Sequence, residues 1–320
     1  MNARHQSKPW ITVVIPMYNH SAYVEQCLDS IRDNQYRPVE IRVMDDGSSD
    51  NSYEIAAVWA AKNASADLNI HVMRQANQGV NKTLNTLVKM AEGAYIAVIA
   101  SDDYLLPGSL QVRLNALLQN PNWMVVFGDG RVISEKNELI HHSCIDEFIK
   151  ADKYALLHAP SIAAEMILQW GTPGGSFMAR REAYDPDKGV GLYDENLLYE
   201  DRDFYLRVLS RNQVGFIDTA VTAYRQHGRN SADKKDPKLL AKYYYGRYHS
   251  ELKNLKHFSG YNWIALRMTS WLSLAIAEDH EQNSRSSRFW VKLTWKLSRL
   301  LYWLHRQRVP RPKKSIEKAF

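Results

Sequence analysis

The first 130 residues alternate two apolar spacings. Ile11-Thr12-Val13-Val14-Ile15 is a near-continuous apolar run, as expected of a strand covered on both faces within a parallel sheet. Residues 21–34 place Val24, Cys27, Leu28 and Ile31 at i, i+3, i+4 and i+7, which predicts a helix with Ser21 as its N-cap. The alternation repeats. Strands are predicted over 39–44, 70–73, 94–100 and 123–127. Helices are predicted over 50–63, over 80–92 and from Pro107 onward, where Leu110, Leu114, Leu117 and Leu118 form a stripe.

This order specifies an α/β fold, a mostly parallel central sheet flanked by helices. Ligands of such sheets sit at the carboxyl ends of strands, where strand order reverses. That rule selects three polar or turn-like segments, residues 16–19, 45–50 and 101–103. Residues 140–200 are less regular, and their Gly171-Thr172-Pro173-Gly174-Gly175-Ser176 run reads as a loop. From about residue 236 the chain turns helical, aromatic and basic. Within 287–308, Trp290, Leu293, Leu297, Leu300, Leu301 and Leu304 form one stripe, and Arg288, Lys292, Lys296 and Arg299 its neighbour. A cationic amphipathic helix of this kind can lie on an anionic membrane surface. Equally, it can dock on the rest of the chain with its basic face in water. The cluster Tyr243, Tyr244, Tyr245 and Tyr248 reads as helix packing rather than sugar stacking.

Composition changes this picture in two places. The formal charge of +6 hides an asymmetry: residues 242–320 hold 16 Lys/Arg against 5 Asp/Glu, leaving 25 against 30 in residues 1–241. The basic excess is confined to the tail, so a nucleic-acid footprint over the whole protein is not expected. With only Cys27 and Cys144, no disulfide framework or cysteine zinc site can be built, and a reducing, cytoplasmic setting is expected. No start-of-chain signal pattern and no bilayer-length apolar run is seen, so any membrane contact is expected to be peripheral, on the inner face.

Two of the selected segments are acidic. Asp45-Asp46-Gly47-Ser48-Ser49-Asp50 follows a predicted strand and opens a helix. Its carboxylates can accept hydrogen bonds from a base or ribose, although a capping turn explains it equally well when taken alone. Asp102-Asp103 sits at the same rim, and adjacent carboxylates at a strand end suit Mg2+ or Mn2+ bound together with substrate phosphates. Two acidic turns at one rim are a stronger signal than either turn alone. A dinucleotide-dependent oxidoreductase would need Gly-x-Gly-x-x-Gly after the first strand, and 16–21 contains no glycine.

In order and spacing, Val14-Ile15-Pro16-Met17-Tyr18-Asn19, Asp45 to Asp50, Asn77-Gln78-Gly79, Gly93-Ala94-Tyr95-Ile96, Ser101-Asp102-Asp103, Gly174-Gly175-Ser176, Glu200-Asp201 and Tyr224-Arg225-Gln226-His227 resemble the family 2 glycosyltransferases. The resemblance covers roughly residues 10–232. It implies a GT-A fold over 1–235, with a donor half to about 130 and an acceptor half from 131, and a helical C-terminal region over 236–320. It implies an inverting transfer of sugar from a nucleotide-diphosphate donor, a UDP-sugar, to a glycan or lipid-linked acceptor in cell-surface polysaccharide synthesis. Pro16, Tyr18, Asn19, Asp45, Asp46, Asn77, Gly79, Asp102 and Gly175 would bind the nucleotide-sugar. Asp103, Asp102 and His227 would hold Mn2+ or Mg2+, with Arg225 and Arg229 on phosphate. Asp201, with Glu200 beside it, would be the general base. Ala100 departs from the Asp-x-Asp-Asp form of the metal motif. There is no Gln-x-x-Arg-Trp, so one sugar per encounter is expected rather than processive synthesis. The alternative is a nucleotide-sugar-binding module of the same fold without turnover.

Overall fold

A computed structural model of the protein describes residues 8–197, 200–228, 230 and 236–311, with Glu200 described in its backbone alone. Its first half runs β1 (Ile11–Met17), α1 (Val24–Arg32), β2 (Val39–Asp45), α2 (Ser52–Asn63), β3 (Leu68–Arg74), α3 (Val80–Met90), β4 (Tyr95–Val98), β5 (Tyr104–Leu105) and α4 (Ser109–Gln119). Every strand and helix predicted in this half is present. The apolar stripe of α1 is the buried one, Val24, Cys27, Leu28 and Ile31. Ser21 does not cap α1. Tyr23 holds the N-cap position with no side-chain bond, and the Ser21 amide instead donates to Asp50 Oδ2 at 3.1 Å.

The second half runs β6 (Val125–Ser134), β7 (Leu139–His141), α5 (Lys153–Leu157), α6 (Ala159–Leu168), β8 (Phe177–Arg180), α7 (Glu200–Leu209) and β9 (Val214–Gln226). A π-helical turn, Cys144–Ile149, lies between β7 and α5. The sheet order is β3-β2-β1-β4-β8-β6-β9-β5, with β7 beside β6. Its long pairings, β1 with β2, β2 with β3 and β6 with β9, are parallel. The short β8 enters antiparallel to both β4 and β6 and joins the two halves. Buried residues of β1, β2, α1 and α4 pack on one face of the sheet, and those of α3, α6, α7 and β6 on the other.

The last described segment is three helices, α8 (Pro237–Asn254), α9 (Gly260–Gln282) and α10 (Arg285–Arg308). This layer is wired into the sheet domain through buried charge. Arg202 of α7, with none of its surface exposed, donates to Glu251 Oε1 from Nε at 2.9 Å and from Nη2 at 2.5 Å. Asn254 donates to Asp203 at 2.9 Å, and Tyr302 of α10 to Glu165 of α6 at 2.8 Å. Among the described residues no helix is long and apolar enough to cross a membrane.

Candidate active site

β1 and β4 are hydrogen-bonded neighbours, so the loops leaving their carboxyl ends must meet. His20 follows β1 and Asp102 follows β4. The His20 ring sits with Nδ1 2.8 Å from Ser101 Oγ and Nε2 3.7 Å from Asp102 Oδ2. A second pairing brings in the far half of the chain. Tyr104 of β5 lies opposite Ala223 of β9, which carries the following Tyr224 to His227 back to the acidic turn. His227 Nε2 stands 3.0 Å from the same Asp102 Oδ2, its ring stacked on Tyr23 at 5.2 Å. The ligand atoms of His20, Asp102 and His227 fall within 4.8 Å of one another.

Asp102 is 7% exposed, and its Oδ1 has no hydrogen-bond partner. A buried carboxylate oxygen left unpaired beside two imidazoles is costly unless something fills the position. This is the donor set expected around a divalent transition ion. Asp103 is used differently: Oδ1 accepts the Arg225 amide at 2.8 Å, and Oδ2 lies against Gly174, where a Cβ would stand 2.6 Å away. Burial, and after it the Asp102 charge, push the Asp103 carboxyl well above the usual carboxylate range.

The second acidic turn is mostly engaged with the protein itself. Asp45 is fully buried, bonded to the Ser48 hydroxyl and paired with Arg74 Nε at 3.1 Å. Asp46 faces the cleft, and its two oxygens accept from Gln75 Nε2, the Gln78 amide and the Gly79 amide, each at 2.9 Å. It thereby shapes the Asn77-Gln78-Gly79 loop, where Gly79 takes φ 87° at the start of α3. Asn19, with φ 56°, accepts the Ser49 amide on its side-chain oxygen at 2.8 Å.

These loops line one cleft of about 830 Å3, bordered by Pro16, Tyr18, His20, Asp46, Asn77, Gly79, Asp102, Asp103, Trp170, Gly174, Asp201 and Tyr243. The volume is in the range of a small-molecule site. Asp201, at the start of α7, reaches this cleft with Oδ1 on the Arg202 amide at 2.7 Å. Burial pushes its carboxyl up to about 6, while the Arg202 amide and guanidinium, and then Arg247, oppose the rise. Glu200 begins the same helix, and its side chain lies outside the described residues.

Several sequence expectations change here, beginning with Asn19 and Asp45, expected on the nucleotide-sugar but absent from the border of this cleft. Arg225, expected on phosphate, is engaged by the protein instead: at 1% exposure its guanidinium donates to the Asp102 carbonyl at 2.8 Å and Gln26 at 2.7 Å and lies over Tyr23 at 5.0 Å. Its partner in that expectation, Arg229, lies outside the described residues. Tyr243, read as helix packing, reaches the cleft, whereas Gly175 packs on Ile99 and Thr222 and leaves Gly174 to border it. His20 was missed. Its one signal was its place directly after Asn19 in the first loop, since the 81 residues separating it from Ser101 hide the contact.

The sequence matches the model of Glycosyl transferase family 2 over residues 12–186. An uncharacterised protein of Mycobacterium tuberculosis, MT1568, is 31% identical over 227 residues, covering 68% of each chain. The uncharacterised glycosyltransferase EpsJ of Bacillus subtilis is 25% identical over 252 residues, covering 78% of this chain and 71% of that one. Two solved structures share the fold. Staphylococcus aureus TarS 1–349 in complex with UDP-GlcNAc superposes with TM-score 0.59 at 19% identity, over 94% of this chain and 81% of that one. The mannosyltransferase PcManGT of Pyrobaculum calidifontis, in complex with GDP-Man and Mn2+, gives 0.61 at 16%, over 94% and 83%. The architecture is GT-A, and a rim built from motifs in this order, matched by the family over more than half its length, makes the chain a member of glycosyl transferase family 2.

Proposed function

We propose that the protein transfers a sugar, with inversion, from a nucleotide-diphosphate donor to a hydroxyl of a glycan or lipid-linked acceptor. The observation that carries this reading is the pairing, in one cleft, of a raised carboxyl at Asp201 with the Asp102 corner. In the proposed step the acceptor oxygen bonds to the anomeric carbon while its proton passes to Asp201, and the bond from that carbon to the diphosphate breaks. A carboxyl near 6 is ionised at neutral pH yet basic enough to take the proton. Pro16, Tyr18, Asp46, Asn77 and Gly79 border the half of the cleft that would take the nucleoside.

Asp102 and His227, joined by His20, would hold Mn2+ or Mg2+, and the ion would offset charge on the departing diphosphate. The orphaned Asp102 Oδ1 fits that assignment, and two imidazoles favour Mn2+ over Mg2+. Asp103 in this reading positions β9 rather than binding the ion. The donor is assigned as a UDP-sugar on the residue resemblance and on the UDP-GlcNAc held by TarS. The test is nucleotide release from a panel of UDP- and GDP-sugars, with and without Mn2+. Absence of turnover across the panel, with tight nucleotide-sugar binding retained, would replace the transferase reading with that of a binding module.

A further inference from the structure

Helix α10 is mounted the wrong way round for a helix in water. Surface helices turn apolar side chains to the core and polar ones outward. Here the buried residues are Ser287, Thr294, Ser298, Tyr302 and His305, with Val291 and Leu301 half-buried beside them. Facing out are Phe289, Trp290, Leu297, Leu300, Trp303 and Leu304, with Phe289 at 59% and Trp303 at 57% exposure. At about 100° per residue these outward positions, together with Leu293, form a continuous stripe. Arg285, Arg288, Lys292, Lys296 and Arg299, all exposed, fall along its flank, and α10 contains no acidic residue.

The mounting is firm. Tyr302 is bonded to Glu165, Arg306 pairs with Asp152 at 3.2 Å and Arg311 with the same carboxylate at 2.5 Å. Tyr261 of α9 donates to the Leu301 carbonyl at 2.5 Å, which sets the start of α9 beside the end of α10. In α9, Trp263 and Ile264 are exposed as well, and Trp271 follows with Arg267 at 5.1 Å from its ring.

We propose that α10, with the exposed edge of α9, is a docking surface for an anionic lipid bilayer, lying in its interface. The apolar stripe enters the headgroup boundary, tryptophans sit at that level, and the basic flank meets lipid phosphates. Charge complementarity selects lipid over a second copy of the chain, because two such faces would set like-charged flanks against each other. The surface ends beside the cleft: Tyr302 also reaches the Lys150 carbonyl at 3.4 Å, and the preceding Phe148 and Ile149 line the cleft. The docking stands independently of the transferase reading.

The full chain is tested by flotation with vesicles of phosphatidylcholine alone or mixed with phosphatidylglycerol, at low and high salt. Binding is expected to the mixed vesicles and to fall with salt. Each basic residue at the surface is worth about fivefold in affinity, so Lys292→Ala with Lys296→Ala is expected to lose roughly 25-fold. Trp290→Ser with Leu297→Ser should abolish flotation while the melting temperature holds, since both side chains are exposed. Equal binding to neutral vesicles, failure of the wild-type chain to float, or a stable dimer whose dissociation requires Trp290→Ser would each overturn the proposal. Nucleotide release toward a soluble acceptor should be unchanged in these variants, so lost flotation and lost transfer are read separately.

Discussion

Asp201→Asn should make the protein more stable and nearly inactive, with both effects following from one carboxyl. The variant keeps the shape of the side chain and an oxygen for the Arg202 amide, but it cannot ionise. In the wild type the folded carboxyl sits at about 6, against about 3.9 for an aspartate in an unfolded chain. A gap of about two pKa units corresponds to about 3 kcal/mol. The folded value is the higher one, so the folded state holds the proton more tightly than the unfolded chain. Its contribution is fully present below the unfolded value and is lost as pH rises through about 6. Urea unfolding across this window should therefore show the wild type losing stability that the variant keeps, with a difference approaching about 3 kcal/mol above pH 7. Turnover should drop by about 10²–10⁴-fold, and the ascending limb of the wild-type rate, centred near 6, should vanish. Parallel unfolding curves at every pH would refute the burial argument. A variant with normal turnover would refute the base assignment even if the stability difference appeared.

Three further outcomes follow from other contacts. His20→Ala and Asp102→Ala should each weaken Mn2+ binding, read by titration calorimetry without donor, by at least about 10–100-fold, whereas Asp103→Asn should weaken it far less. Asp46→Ala strips acceptors from three donors around the 75–79 loop, so it should raise the KM for the donor and lower stability by about 1–3 kcal/mol in thermal melts. Glu251→Ala leaves the buried Arg202 guanidinium without its carboxylate and should cost about 3–5 kcal/mol in denaturant unfolding.

The donor half was legible because its strands are covered on both faces, so apolar runs and helical stripes alternate cleanly along the chain. The acceptor half was not, and β6 shows why. It is predicted to end at 127, before Gly128, Asp129 and Gly130. The strand nevertheless runs on to Ser134, and both glycines stand where another chain segment approaches closely. A Cβ on Gly128 would stand 2.7 Å from the Thr219 carbonyl, and one on Gly130 2.8 Å from Pro173, where the β6–β9 register shifts. Asp129 is buried beneath, bonded to Ser143 at 2.6 Å and Lys153 at 2.7 Å. In the site, motif order led to Asp102, Asp201 and His227. It could not reveal which carboxylates the protein spends on itself, because that depends on partners such as Arg74 for Asp45 and the Arg225 amide for Asp103.

The C-terminal helices bear on the proposed chemistry through α7. Asp201 lies in the first turn of α7, and the next residue, Arg202, carries a charge that burial would make prohibitive without Glu251. Glu251 is a residue of α8 and is itself held by Ser273 of α9 at 2.8 Å and by Arg247 at 3.1 Å. Two residues after Asp201, Asp203 is tied to Asn254 at the end of α8. The helix that presents the proposed base is thus located by carboxylates and amides on helices beyond the sheet. Trp170 closes the connection, bordering the cleft on one side and lying 5.1 Å from the Arg202 guanidinium on the other. A shift of α8 against the sheet would therefore move Asp201 relative to the Asp102 corner, which is built from the ends of β1, β4 and β9 with β5 and α1 beside them. The distance between the proposed base and the proposed diphosphate site depends on packing that no motif in the first 230 residues records.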